Sequence, residues 1–302
     1  MVTSVGDARD QSWYASPMGR TIPPEQAFAR TRYADPSLAR RRAILRETVA
    51  ALEDADPPDR YHRLAAANLE RWREAATATP ARTIEVVAGD WGEVTARETQ
   101  RLGVCFAALN MANAYVPGGA YVEGTVAQEE NMFRRTDCHL AVDASEFDPQ
   151  TERYTRAMSD LINAKAGRVL LDTERPRVCV RGPEDRARED LGYAWLADDE
   201  VFPFYELRAA AVDLRTGGVF DPDEARARID AQLDTLIDAG VRHAILSAFG
   251  CGAFHNPARR VATIYAEALR ARESSFDRVV FAIFHAGYGP DNFTPFAEAF
   301  AE

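Results

Sequence analysis

The sequence predicts an α/β protein in which a mixed central sheet lies between layers of helices, with a helical extension ahead of it. Three observations lead there. From about residue 81 onward, short β-rich runs alternate with helical stretches; the region before it is rich in Ala, Arg, Glu and Leu at helical spacing; and 302 residues at 46% hydrophobic content can supply one large core.

The extension comes first. Between Pro23 and about Ala76, Ile44, Val49 and Leu52 fall near one helical face, as do Leu64, Leu69 and Trp72, and Pro57-Pro58 separates the two helices. The Thr-Ala-Thr-Pro-Ala stretch ending at Ala81 reads as a connection, so the expected division is 1–80 for the extension and 81–302 for the α/β domain. There a strand is expected at Thr83 to Val87, a helix at Val94 to Arg101 and a buried strand at Val104 to Leu109. Further strands are expected at Arg177 to Arg181 and Phe204 to Leu214. Asp221-Pro222 opens a helix with Ala225, Ile229, Leu233 and Ile237 on one stripe before Gly240 stops it. A strand at His243 to Ala248, a helix from Pro257 to about Arg272 and a last strand at Arg278 to Phe284 complete the series. Ligands of such folds sit outside the carboxyl ends of the strands, so function is sought in the loops that follow them.

Composition narrows the classes. A net charge of −11, from 36 basic and 47 acidic residues, argues against a general nucleic-acid-binding surface, because phosphate neutralisation drives such binding. The longest apolar runs fall far short of the ~20 residues that span a bilayer and no signal pattern opens the chain, so no membrane contact and a cytoplasmic location are expected. Cys105, Cys138, Cys179 and Cys251 form no CxxC pair, and reduced thiols are expected.

Two segments carry chemistry. After the strand ending near Leu109 come Asn110 and Asn113, a Pro117-Gly118-Gly119 loop, and Gln128-Glu129-Glu130 opening a helix. Glycines let backbone N–H groups approach a ligand closely. Adjacent carboxylates crowd each other, which raises one carboxyl and suits it to donate a proton; a helix N-terminus pushes the other way. Such a loop beside two carboxylates fits cleavage of a glycosidic bond to a phosphorylated sugar through an oxocarbenium-like transition state. The plainer alternative makes Glu129 and Glu130 ordinary first-turn residues that complement the helix dipole. The second segment is Leu246-Ser-Ala-Phe-Gly-Cys-Gly-Ala-Phe-His-Asn-Pro257, where a strand, a Gly250-Cys251-Gly252 turn and a new helix make an anion cradle.

The stretch from Pro117 to Glu130 resembles the signature loop of the microbial-type poly(ADP-ribose) glycohydrolases, in which a glycine triplet is followed a few residues later by Gln-Glu-Glu; here seven residues separate Ala120 from Gln128. The second segment resembles the same family's diphosphate loop, and the final strand and the loop from His285 resemble its terminal segment. The resemblance implies a macrodomain-like three-layer α/β/α fold and hydrolysis of an O-glycosidic ADP-ribose linkage, on polymer or on a mono-ADP-ribosylated target. It implies Glu130 as catalytic acid, Glu129 and Asn113 positioning the ribose, and Phe254 packing on a ribose. Gly118, Gly119, Ala120, Gln128, Gly250, Cys251, Gly252 and Ala253 then complete the substrate lining. The partner implied is ADP-ribose or an ADP-ribosylated macromolecule, with neither cofactor nor metal. One position departs from the family: its third glycine is Ala120, which bears on the linkage the loop admits. A competing function is a reader that binds ADP-ribose without turnover.

Other residues invite chemistry less strongly. Cys138-His139 lacks a second pair at zinc spacing, and Ser247 lacks a G-x-S-x-G context. Cys251 reads as a small residue chosen for space rather than a reactive thiol. Arg134 and Arg135 could assist a phosphate, but a solvated helix face or pairing with Asp137 fits them better.

Overall fold

The computed structural model describes residues 20–25, 35–77, 83–285, 287 and 289–301. Most of the connection read at 77–81 lies outside the described residues, as do Ala286 and Tyr288 of the terminal loop.

The two extension helices form as their spacing requires. α1 (Pro36–Glu53) starts on Asp35, whose side chain accepts from the Ser37 and Leu38 N–H groups, with proline in the first turn; α2 spans Arg60–Ala75. β1 (Thr83–Ala88) leads to α3 (Trp91–Leu102), which Asp90 caps and Gly103 ends at φ 63°. β2 (Ala107–Met111) is followed by the first glycine loop and α4 (Gln128–Arg135). A small hairpin of β3 (Phe147–Asp148) and β4 (Arg153–Tyr154), then α5 (Arg156–Ile162), β5 (Leu170–Leu171) and β6 (Arg177–Cys179), fill the middle. β7 (Phe202–Ala209), α6 (Pro222–Asp238), β8 (His243–Leu246), α7 (Ala258–Arg270), β9 (Arg278–Ile283) and α8 (Phe293–Ala299) close the chain.

The main sheet runs β1-β9-β8-β2-β7-β5, with β6 also on β7. β1, β9, β8, β2 and β7 are mutually parallel, while β5 and β6 run antiparallel to β7, so the sheet is mixed as predicted. Alternation along the strands makes the layers. Ala107 and Leu109, Ala244 and Leu246, and Val279, Phe281 and Ile283 face one apolar cluster shared with α6, α7 and α8. On the opposite face, Ile245, Val280 and Ala282 meet α3, while Ala108, Phe202 and Phe204 meet α4 together with Leu45 and Val49 of α1 and Trp72 of α2. This is the macrodomain-like three-layer arrangement, and the extension helices share its core. Among the described residues no helix is long and apolar enough to cross a membrane.

Two strand expectations shift. The first buried strand is displaced to Ala107–Met111, so Asn110 lies within β2, fully buried, its Nδ2 donating to Glu206 Oε1 at 2.7 Å. β7 ends at Ala209, and Ala210 to Leu214 belong to the following loop.

Candidate active site

Sheet order brings the two segments together. β2 and β8 are neighbouring parallel strands, so the loops after them leave the same edge side by side, and the loop after β7 leaves on the other side of β2. Asn256 ties these loops, its Nδ2 donating to the Val212 carbonyl at 2.8 Å and the Gly250 carbonyl at 3.1 Å.

Gln128 begins α4 by docking on β2. Its Oε1 accepts the Met111 N–H at 2.9 Å and its Nε2 donates to the Leu109 carbonyl at 2.8 Å, so the structure places this amide between helix and strand. The next two side chains turn inward, at 3% exposure for Glu129 and 9% for Glu130, which is not the solvated setting of ordinary first-turn carboxylates. Glu129 Oε2 accepts the Asn113 N–H at 2.7 Å and Oε1 the Gly118 N–H at 3.0 Å. Glu130 Oε1 accepts the Ala120 N–H at 3.2 Å, while its buried Oε2 has no hydrogen-bond partner among the described residues.

The glycines of this loop therefore serve differently from the expectation that their N–H groups cradle a ligand. Gly118 N–H goes to Glu129 and Gly119 N–H to the Val116 carbonyl at 3.0 Å, so both are spent inside the protein. What requires glycine is shape. Gly118 and Gly119 stand at φ 71° and 61°, and a Cβ at Gly119 would lie 2.6 Å from Glu130 Oε1 and 3.2 Å from Glu129 Oε2. Ala120 is not among the residues with positive φ, so its backbone does not call for glycine. Asn113 Oδ1 accepts from the Tyr115 and Val116 N–H groups, which orients its amide at the head of the loop.

Electrostatics follow from burial. Desolvation, and then the charge of Glu130, hold the Glu129 carboxyl well above the usual range; burial also raises Glu130, against the Ala120 N–H and Arg134. Beneath them, on the same face of the sheet, lies a buried ionic cluster. Arg208 meets Glu206 at 2.9 Å and the Tyr154 hydroxyl at 3.2 Å, and Arg177 stands 3.4 Å from Glu206. Burial disfavours the Glu206 charge, but Arg208 and Arg177 outweigh it and hold that carboxyl at about 2.

In the second loop, Gly250 at φ 72° passes so near Ala211 that a Cβ would be 2.5 Å from that residue's own. Cys251 is buried and its thiol is pushed up to about 12 by desolvation, as befits a space-filling residue. Gly252 and Ala253 are exposed, and the N–H groups of Gly252, Ala253 and Phe254 donate to nothing among the described residues, which leaves them open to an anion. Phe254 is half-buried beneath Arg215, whose guanidinium lies 5.0 Å from the ring centre and is paired with Asp213 at 2.9 Å.

Arg134 and Arg135 correct the reading of a solvated face or of pairing with Asp137. Both are fully buried: Arg134 donates to the Thr125 carbonyl at 2.7 Å and Arg135 to Asp90 at 2.7 Å, while Asp137 faces His62. Sequence reasoning also missed Asp213 and Arg215, whose place beside Phe254 comes from strand order, and Arg20, whose guanidinium donates to the Gly119 carbonyl.

Residues 26–162 match the microbial-type PARG catalytic domain, a stretch that includes Asn113, the first glycine loop and both carboxylates. That stretch is similar to the microbial-type PARG catalytic domain. Among solved structures, the PARG of Thermomonospora curvata is 25% identical, with 86% of this chain and 99% of that one covered at a TM-score of 0.59. The same enzyme bound to the inhibitor ADP-HPD gives the same values. The PARG of Deinococcus radiodurans in complex with ADP-ribose, 23% identical over 81% of this chain and 92% of that one at a TM-score of 0.50, shares the fold. No curated protein matches the chain. The PARG match starts within the helical extension, upstream of the sheet.

Proposed function

We propose that this chain is a glycohydrolase that cleaves an O-glycosidic ADP-ribose linkage and releases ADP-ribose. The observation that carries it is the Glu130 carboxyl: buried, raised in pKa, held at Oε1 by a backbone N–H and without a hydrogen-bond partner at Oε2 among the described residues, in a loop where Gly119 leaves no room for a side chain beside it.

Roles follow from the hydrogen bonds. Both Glu129 oxygens already accept N–H donors, whereas Glu130 Oε2 accepts none among the described residues, so Glu130 Oε2 is the oxygen free to carry a proton to a leaving group. Glu130 gives that proton to the leaving oxygen as the glycosidic C–O bond breaks, and positive charge spreads onto the ribose ring oxygen. Water then attacks the anomeric carbon and returns a proton to Glu130, which restores the enzyme. Glu129, anchoring Asn113 and Gly118, sets where the ribose lies, and the open N–H groups of Gly252, Ala253 and Phe254 suit the diphosphate. Proton transfers among Glu130, the leaving oxygen and water balance the reaction.

The test measures ADP-ribose release from poly(ADP-ribose) and from mono-ADP-ribosylated protein, with calorimetry of ADP-ribose binding, for wild type and Glu130→Gln. Release by wild type, and binding without release by the variant, is the expected result. A wild type that binds ADP-ribose yet releases none from either substrate would be a reader, and no binding would remove both readings.

A further inference from the structure

Arg20 lies upstream of the stretch that matches the PARG catalytic domain, yet its guanidinium is buried against the catalytic loop. Nη1 donates to the Gly119 carbonyl, Nη2 meets Glu123 at 3.2 Å and Glu152 at 3.6 Å, and the group lies 5.7 Å from the centre of the Tyr121 ring. Tyr121 in turn hydrogen-bonds His139 Nδ1 at 2.6 Å. Burial, and then Arg20 itself, press His139 down to about 4, so it stays neutral beside the arginine near pH 7.

The segment that carries Arg20 is firmly seated. Ile22 is buried in the apolar cluster with Leu45, Val49, Tyr121 and Phe133. Arg46 donates to the Pro23 carbonyl at 2.7 Å, and Glu25 bridges Arg42 and Arg46 at 2.6 and 2.7 Å. Arg20 is thereby delivered to the loop by a strap fastened to α1.

Its target matters. The Gly119 carbonyl and the Ala120 N–H belong to one planar peptide group and point in opposite directions. One end takes the Arg20 guanidinium and the other donates to Glu130 Oε1. Because Gly119 has no side chain to limit its dihedrals, nothing on that residue fixes the plane's rotation. An external clamp is needed, and a charged donor on the carbonyl also polarises the N–H at the far end.

We infer that Arg20 is a positioning residue for Glu130, acting through the Gly119–Ala120 peptide plane, and that the site is incomplete without this strap from outside the family-matched region. The inference rests on the glycohydrolase reading for its catalytic consequence, but the clamp can be tested without turnover.

The experiment uses full-length wild type, Arg20→Gln and Arg20→Lys, each checked for a native melting transition. Carbon-detected NMR of labelled glutamate follows the Glu130 carboxyl, assigned with Glu130→Gln, and steady-state release follows catalysis. In Arg20→Gln the freed plane withdraws an N–H that favours the ionised carboxyl. The Glu130 titration midpoint therefore moves up by about one pH unit, and the alkaline limb of the kcat profile moves with it. kcat falls about tenfold with KM changed less than about threefold, and Arg20→Lys, which can still reach the carbonyl, lies between. A folded Arg20→Gln whose Glu130 titrates as in wild type overturns the inference. If Arg20→Gln does not fold, Arg20→Lys decides by the same criterion. A wild type without release overturns the hydrolase reading, while the carboxyl titration still decides the role of Arg20.

Discussion

Exchanging each carboxylate for its amide separates their roles, because the structure makes Glu130→Gln and Glu129→Gln unequal. At Glu130 the amide oxygen can take the place of Oε1 and keep the Ala120 N–H, while the NH2 occupies the position of Oε2, where no donor among the described residues opposes it. At Glu129 both oxygens face N–H donors, so an amide nitrogen must oppose Asn113 or Gly118 and leave one donor unsatisfied, at a cost of about 1–3 kcal/mol. Glu130→Gln should therefore fold and bind ADP-ribose like wild type yet lose about 10²–10⁴ in kcat, the worth of a general acid. That range corresponds to about 3–5 kcal/mol of barrier. Glu129→Gln should be the less stable protein. The pH dependence has a definite sign. Burial raises the Glu130 carboxyl above its ordinary 4.5, so the folded state holds the proton more tightly than the unfolded state does. Its stabilising effect is present below that ordinary value and is lost as pH rises through the folded value. A glutamine cannot ionise, so Glu130→Gln should gain stability relative to wild type between about pH 5 and about pH 9. Urea denaturation at both pH values and release assays on both substrates supply the measurements. Release by Glu130→Gln within tenfold of wild type, or a Glu129→Gln as stable as Glu130→Gln at both pH values, would refute the reasoning.

Other outcomes follow from the same geometry. Gly119→Ala should cost about 1–2 kcal/mol through its left-handed backbone and abolish release, because the new methyl displaces Glu130. Ala120→Gly, by contrast, should cost only about 0.5–1 kcal/mol in melting experiments, through unfolded-chain entropy, and leave kcat within about threefold. Glu206→Gln strips the fully buried Arg208 of its nearest charge and should lower unfolding free energy by about 3–5 kcal/mol at neutral pH. Since Glu206 is held at about 2, its contribution is present above the ordinary carboxyl value and is lost as pH falls through about 2; the difference between variant and wild type in acid titration checks this. Burial pushes Cys105 and Cys251 up to about 12 and Cys179 up to about 11, and it raises Cys138 as well. Iodoacetamide at about pH 8 should leave all four thiols unmodified in folded protein and label them in urea, by mass spectrometry.

Local rules made much of this protein legible in its sequence. Helices with a clear apolar stripe and a stop, such as α6 between Asp221 and Gly240, were readable because capping and 3.6-residue spacing act over a few residues. The strands of the sheet centre were readable as apolar runs, whereas the two-residue β3, β4 and β5 and the short α5 and α8 carry too few residues for a period to show. The Gly-Gly and Gln-Glu-Glu segments marked the first loop, and the Gly-Cys-Gly turn marked the second. Tertiary structure alone decided how these parts work together. β8 lies beside β2 through sheet order, which no local pattern encodes, and so it brought the open N–H groups of Gly252 and Ala253 to the same edge of the sheet as Glu130's loop. Arg134, Arg135 and Arg208 look like solvated side chains in sequence, because charge favours water unless distant partners meet it inside, and those partners are set by the fold. The inequality of Glu129 and Glu130 has the same origin. Two adjacent glutamates have the same chemistry, and only the backbone that folds over them gives one both its donors and leaves the other an oxygen free.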